Sequence, residues 1–166
     1  MSIKSREPST SLLWAFALGS VISTYILIVI GGYVTTSSSG AACGSAAGAD
    51  SWPLCNGSLF PSLSNSAQVI EYTHRVFNIV VGLFVLGTAI LAWTRYKREK
   101  NVVTFSTAGF IGLIAQVLLG MVTVTSDLNP IVSDAHLSLA TAVFALLIVN
   151  AVMVWNLRAR IVSYDR

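Results

Sequence analysis

Charge is what this chain has least of. Asp, Glu, Lys and Arg together make up 10% of its 166 residues, against roughly a quarter in soluble globular domains. Hydrophobic residues make up 54% and the mean hydropathy is +0.73, so a water-soluble globule is excluded and a membrane protein is indicated. The scarcity is also uneven, because Lys and Arg are absent from residues 35–68 and 126–130. Histidine and cysteine occur twice each and no Cys-x-x-Cys is present, which leaves no zinc ligand set of the usual spacing. There is no Walker motif, nucleophile elbow or dinucleotide fingerprint, so the chemistries those motifs serve have no residues to rest on.

What is present is long apolar runs. Residues 12–34, 69–93, 102–125 and 131–157 each reach the ~20 residues a helix needs to cross the hydrocarbon core. Lipid cannot satisfy an open strand, so these runs are expected as helices. They use most of the chain, and residues 1–166 read as one all-α domain, a bundle of four transmembrane helices. Basic residues set its orientation. Lys4 and Arg6 precede the first run, Arg95, Lys97, Arg98 and Lys100 link the second to the third, and Arg158, Arg160 and Arg166 follow the fourth. Both termini are therefore expected on the cytoplasmic side of the cell membrane, with residues 35–68 outside. Trp14, Trp93, Tyr96 and Trp155 then fall at inner ends and Tyr33 at an outer end, as interfacial aromatics do. The same rule accounts for the pI near 9.1, which carries no implication of nucleic acid. The first run exceeds the ~7–15 apolar residues of a cleaved signal and is expected to remain as a helix.

The two histidines sit at matching depths. His74 opens the second helix and His136 the fourth, and the basic residue closing each follows after 21 positions at Arg95 and 22 at Arg158. At ~1.5 Å rise per residue the two intervals differ by only ~1.5 Å. In an up-down-up-down bundle these two helices are parallel and face each other across the core. Both imidazoles then lie at one level, near the outer face, which is the placement a bis-histidine haem needs. Asn78 and Gly82 follow His74 at steps of four, Ala140 follows His136, and Gly112, Gln116 and Gly120 line one face of the third helix. Read plainly, such glycines only let helices approach, and either histidine is an interfacial hydrogen-bonding residue. Ionisable groups within membrane helices are costly and usually functional, and with the matched depth this favours His74 and His136 as iron ligands.

A helix pair is expected twice. Gly32-Tyr33-Val34-Thr35 in the first helix parallels Gly120-Met121-Val122-Thr123 in the third, and an acidic residue, Glu71 or Asp134, precedes each histidine. Two parallel repeats would place the site at their interface. They differ in one connection, with 42 residues from Gly32 to His74 but 16 from Gly120 to His136. The longer one carries Cys43, Asp50, Trp52, Pro53 and Cys55, and it reads as a lid or docking surface above the histidines. Outside the cytoplasm a disulfide is the default for this pair, adding ~3 kcal/mol of stability as a staple. A redox-active pair is the sharper alternative.

Glu71, His74 and Arg75 occupy neighbouring positions on one helix. Read plainly, Glu71 and Arg75 form an ion pair at the water interface, worth a fraction of a kcal/mol. Read functionally, Glu71 stands at a porphyrin edge as base or cation stabiliser, and Arg75 holds a haem propionate. Asp134 reads as a partner of the helix dipole, and Gln116, Asn78 and Asn150 as interhelical hydrogen-bonding groups.

Taken together these residues resemble the haem A synthases. Gly32-Tyr33-Val34-Thr35, the serine/glycine run to Cys43 and Trp52-Pro53-Leu54-Cys55-Asn56-Gly57 are similar to that family's first outer loop. Glu71-Tyr72-Thr73-His74-Arg75 resembles its Glu-x-x-His-Arg motif. Gln116-x-x-x-Gly120-x-x-Thr123-Val124 and Asp134-Ala135-His136-Leu137 resemble its next two landmarks. The resemblance implies an oxidoreductase that converts the C8 methyl group of haem O to the formyl group of haem A for terminal oxidases, with oxygen taken from water after successive oxidations. It implies His74 and His136 as haem ligands, Glu71 as the catalytic carboxylate, a haem b cofactor, and a Cys43–Cys55 disulfide that assists haem transfer or substrate positioning. Haem O synthase and a quinone or other electron acceptor are the implied partners.

Two departures bear on this. Family members have two four-helix halves, whereas this chain is a single half carrying the loop and glutamate of the substrate-binding one. Self-association into a homo-oligomer, or one site serving both roles, is therefore expected. Eleven residues also separate the cysteines, more than in the family's usual loop, with Ser51 between Asp50 and Trp52. The competing class is a bis-histidine membrane cytochrome b passing electrons to or from quinone, which needs neither the outer Glu-x-x-His-Arg nor the cysteine loop. A quinone-linked disulfide oxidase would leave the matched histidines idle.

Overall fold

The computed structural model describes residues 10–44 and 52–164, so Lys4, Arg6, Asp50, Ser51 and Arg166 lie outside the described residues. Four helices follow in order: α1 (Ser11–Thr36), α2 (Ser66–Arg95), α3 (Lys100–Thr125) and α4 (Pro130–Tyr164). All four are long and apolar enough to cross a membrane. The fold is an all-α membrane bundle, and the described residues hold no strand beyond one isolated bridge between Cys55 and Ser58.

Local chemistry explains where the helices differ from the apolar runs. Asn65 caps α2, its side-chain oxygen accepting from the N–H groups of Ala67 and Gln68 at 3.1 and 3.3 Å, so the helix starts three residues before the apolar run. Pro130 takes the first position of α4, where its missing N–H costs nothing, and Asn129 accepts from Ile131 N–H at 3.0 Å. At its other end α4 runs on past Leu157 to a total of 35 residues, ~52 Å of helix, well beyond the ~30 Å hydrocarbon core. Its last turns carry Arg158 and Arg160, the latter paired with Glu99 at 3.1 Å.

Packing runs round a square. α1 touches α2 and α4, and α3 touches α2 and α4, while α2 and α4 lie on one diagonal and α1 and α3 on the other. Trp14 near the start of α1 meets Trp155 near the end of α4, with ring centroids 5.0 Å apart. Trp93 near the end of α2 donates to Thr107 near the start of α3 at 2.7 Å. Neighbouring helices are thus antiparallel, and α2 and α4 are parallel. Tyr96 lies at this same end, where the turn after α2 folds it inward and buries it with Leu13, Ala92, Val154 and Leu157.

A second cluster, Leu27, Val81, Val85, Leu113, Val143 and Leu147, fills the middle of the bundle. Between and around these clusters, polar side chains bond across helix pairs, Ser20 with Thr88 at 3.4 Å and Ser106 with Asn150 at 3.1 Å. Each such bond adds roughly 0.6 kcal/mol in a membrane interior. Both clusters stop short of the end where the histidines lie.

The two helix pairs bury the same positions. Val81, Val85, Thr88, Ala89 and Ala92 of α2 recur on α4 as Val143, Leu147, Asn150, Ala151 and Val154, at the spacing that separates His74 from His136. Leu13, Ala17, Ser20, Thr24 and Leu27 of α1 recur on α3 as Val102, Ser106, Gly109, Leu113 and Gln116. That second spacing joins Gly31, not Gly32, to Gly120. One residue is ~100° of helix, so the shift decides which glycine faces inward.

Candidate functional site

The site is built where each pair of neighbouring helices brings a glycine against a histidine. A Cβ on Gly31 of α1 would meet His74 Cε1 at 3.0 Å, and one on Gly120 of α3 would meet His136 Cε1 at 3.1 Å. Only a bare Cα lets each ring lie this close to the neighbouring helix. Gly32 has open space around it, as does Gly82, while Gly112 accommodates Val143. Of the glycines expected beside the histidines, Gly120 alone meets one directly. Gly31 was hidden in the sequence by its identical neighbour.

The imidazoles come from helices on one diagonal of the bundle, α2 and α4. Gln116 reaches His136 across α3 and α4, its Nε2 donating to the His136 carbonyl at 2.9 Å and lying 3.1 Å from Nδ1. Asn78 bonds within its own helix, donating to the His74 carbonyl one turn back at 3.2 Å. Two buried polar atoms here lack a partner, His74 Nδ1 and Gln116 Oε1. A buried polar group without a partner costs roughly 1–3 kcal/mol, so such atoms mark a place for a ligand. An iron-bound imidazole carries its proton on the other nitrogen and needs an acceptor for it. The Gln116 amide turns its donor Nε2 rather than Oε1 toward His136 Nδ1, so the unpartnered His74 Nδ1 is the atom that leaves room for a ligand. The residues present therefore fit a haem held between His74 and His136.

Glu71 and Arg75 are paired, but not at a water interface. Glu71 is 3% exposed, and one of its oxygens takes a bond from Arg75 Nη2 while the other accepts from Cys43 N–H at 2.8 Å. Arg75 Nη1 donates to the Leu54 carbonyl at 2.8 Å. The plain expectation of an exposed pair fails because the long connection folds over it. Cys43 and Cys55 are joined as a disulfide. Asn56 and Gly57, both with positive φ, make the tight turn that follows Cys55, and Asn56 bonds back to Cys43 and Ala42 at 3.0 Å each.

Asp134 is not the counterpart of Glu71. It lies two residues before its histidine rather than three, which turns it to the exposed side, and Ser133 holds the equivalent inward position. Nor does it meet the first turn of α4, which begins four residues earlier at Pro130.

Fold and site together define a class: a multi-pass four-helix membrane protein with two imidazoles presented at one level by diagonal helices. The model of a cytochrome oxidase assembly protein family, COX15-CtaA, matches residues 63–165, and the chain belongs to that family. Among curated proteins it is 33% identical over 150 residues to the heme A synthase of Bacillus pumilus (strain SAFR-032), covering 86% of this chain and 46% of that protein. It is 32% identical over 142 residues to the heme A synthase of Bacillus cereus (strain AH187), covering 84% and 44%. The chain spans less than half the length of these relatives.

The glycine contacts make a sharp prediction. Alanine at Gly31 or Gly120 must push its histidine ring aside, and is expected to weaken haem retention about tenfold, the equivalent of a modest overpacking strain. Gly32→Ala, one residue away, should leave retention unchanged. Haem titration of the purified variants checks this, and equal effects at positions 31 and 32 would refute the register.

Proposed function

We propose that this protein acts as a haem A synthase, an oxidoreductase that converts the C8 methyl group of haem O to the formyl group of haem A. The observation that carries the reading is the pair of histidines, each laid on a glycine at one level of diagonal helices, in a chain of this family. His74 and His136 are the residues that would hold haem iron, with haem b as the proposed cofactor, haem O as substrate and haem A as product. A haem held there supplies a redox-active iron.

Taking a methyl group to a formyl group adds one oxygen from water and releases four electrons and four protons, so an electron acceptor, quinone or another, is a required partner. Haem O synthase is the proposed source of substrate. Positive charge builds on the carbon as electrons leave, and Glu71 is the proposed catalytic carboxylate that stabilises it; low dielectric strengthens that effect. Arg75, the next residue after His74, is proposed to meet a haem propionate.

The helix pairs are proposed as parallel repeats within one domain, supported by their shared pattern of burial. The proposed topology puts both termini in the cytoplasm and the cysteine loop outside, supported by the basic residues between α2 and α3 and along the end of α4. Self-association is proposed, with different copies of the chain serving the two roles, and a fully active monomer would remove that part.

Expression in a host that makes haem O but not haem A tests the activity. Extracted haems, separated with mass detection, should include haem A or its hydroxymethyl precursor. Haem b alone, in a folded protein with both histidines bound, would sink the proposal in favour of electron transfer.

A further inference from the structure

Each arm of the disulfide loop is held by one member of the buried ion pair. The Cys43 arm is held through its own N–H, which Glu71 accepts at 2.8 Å. The Cys55 arm is held through the carbonyl of the adjacent Leu54, to which Arg75 donates at 2.8 Å. Glu71 and Arg75 stand one helical turn apart, so a single rigid stretch of α2 grips both arms at once. The carboxylate is correspondingly left with little freedom. A glutamate side chain has three rotatable torsions, and here one oxygen is engaged by a guanidinium and the other by a backbone amide. That amide is fixed in turn: Cys43 is tied to Cys55 through sulfur and to Asn56 N–H through its carbonyl at 3.0 Å.

The arrangement belongs to one helix pair alone. The position equivalent to Glu71 on α4 is Ser133, and the short α3–α4 connection contains no cysteine. The acid and the added cysteine loop thus occur together and touch, although nothing in the bundle's packing requires either. The disulfide is also hard to reach, with Cys43 and Cys55 at 0% and 2% exposure. A reductant gains access only through local opening of the loop, which must break the bonds to Glu71 and Arg75.

We propose that the Cys43–Cys55 loop is the positioning element of the Glu71 carboxylate, and that the Glu71–Arg75 pair in return shields the disulfide from reduction. The consequence for turnover rests on the reading of Glu71 given under the proposed function. The shielding does not.

The test uses the full chain in detergent micelles and a water-soluble phosphine. The phosphine takes up the oxygen of one water as the disulfide becomes two thiols, which are counted by mass after maleimide labelling. Glu71→Ala should be reduced at least ~10-fold faster than the wild type, the effect of losing a charge-assisted hydrogen bond from the closed form. Arg75→Gln, which keeps the acid but loses the ion pair, should also be faster, and it carries the test if Glu71→Ala fails to fold. Asp134→Asn, an exposed acid at the same end of the bundle, should match the wild type. Reduction of Glu71→Ala or Arg75→Gln at the wild-type rate overturns the shielding.

The positioning is read from the Cys43→Ser/Cys55→Ser protein. Its kcat on haem O should fall ~10-fold while KM moves by less than about threefold, since orientation of a reacting group acts on the chemical step. An unchanged kcat overturns the positioning. If the wild-type chain makes no haem A at all, the proposed function fails, and the reduction rates still decide whether the pair grips the loop.

Discussion

Alanine at His74 or at His136 is expected to abolish the six-coordinate, low-spin haem spectrum and to lower bound haem at least ~10-fold, while the protein stays folded. Each imidazole is proposed as one of two residues that would hold the iron, so removal of either would leave one protein ligand. The expectation of a folded variant follows from where the core lies. The buried clusters run from the Leu13–Leu157 end to the level of Val81 and Val143, and neither histidine belongs to them. His74 Nδ1 has no partner to lose, so its truncation removes a strained group rather than a stabilising one. Optical spectra and haem content per protein, set beside circular dichroism, read the two effects separately. A variant that keeps the full low-spin spectrum with one histidine gone would falsify the ligand assignment.

Glu71→Gln and Glu71→Ala are expected to retain haem and to lose conversion of haem O by at least ~100-fold, the scale on which a preorganised electrostatic group acts in a buried site. The two substitutions differ in their structural cost. Alanine strips both Arg75 and Cys43 N–H of their acceptor, and unpairing a buried charge costs about 3–5 kcal/mol. The pair qualifies as buried, with side-chain exposures of 13% for Arg75 and 4% for Glu71. Glutamine removes the charge but keeps an oxygen for one of the two donors, where alanine keeps none. A lower melting temperature is therefore expected for alanine than for glutamine, with turnover lost in both. Normal turnover in Glu71→Gln would remove the negative charge from the mechanism, whatever the alanine variant does.

The residues show how far one dimension of information reaches. Helix existence and order were legible because span length is dictated by bilayer thickness, and an apolar run of ~20 residues is visible in any sequence. The shared level of His74 and His136 was legible for the same reason, since depth along a helix is a count of residues. The cysteines could be paired because they share one connection. Facing was less legible. Gly31 and Gly32 are the same residue type one position apart, and only the packing of α1 on α2 shows that Gly31 meets the ring. That Tyr96 turns inward against Leu13 and Leu157 is likewise a matter of facing. Asp134 matched Glu71 by sign of charge but not by angle.

Glu71 marks the boundary most clearly. Its spacing from His74 and Arg75 placed all three on adjacent positions of one helix, which is a property of helical geometry alone. That its other oxygen accepts from Cys43 N–H, and that Arg75 reaches Leu54, depended on how a connection rich in glycine, alanine and serine folds back onto α2. The sequence by itself therefore determined that there are four spans and in what order they follow, because the bilayer reads composition along the chain. Only the tertiary structure decided which glycine, which acid and which backbone amide share the site. Those are questions of angle and of long-range contact, and each residue along a helix turns the answer by ~100°.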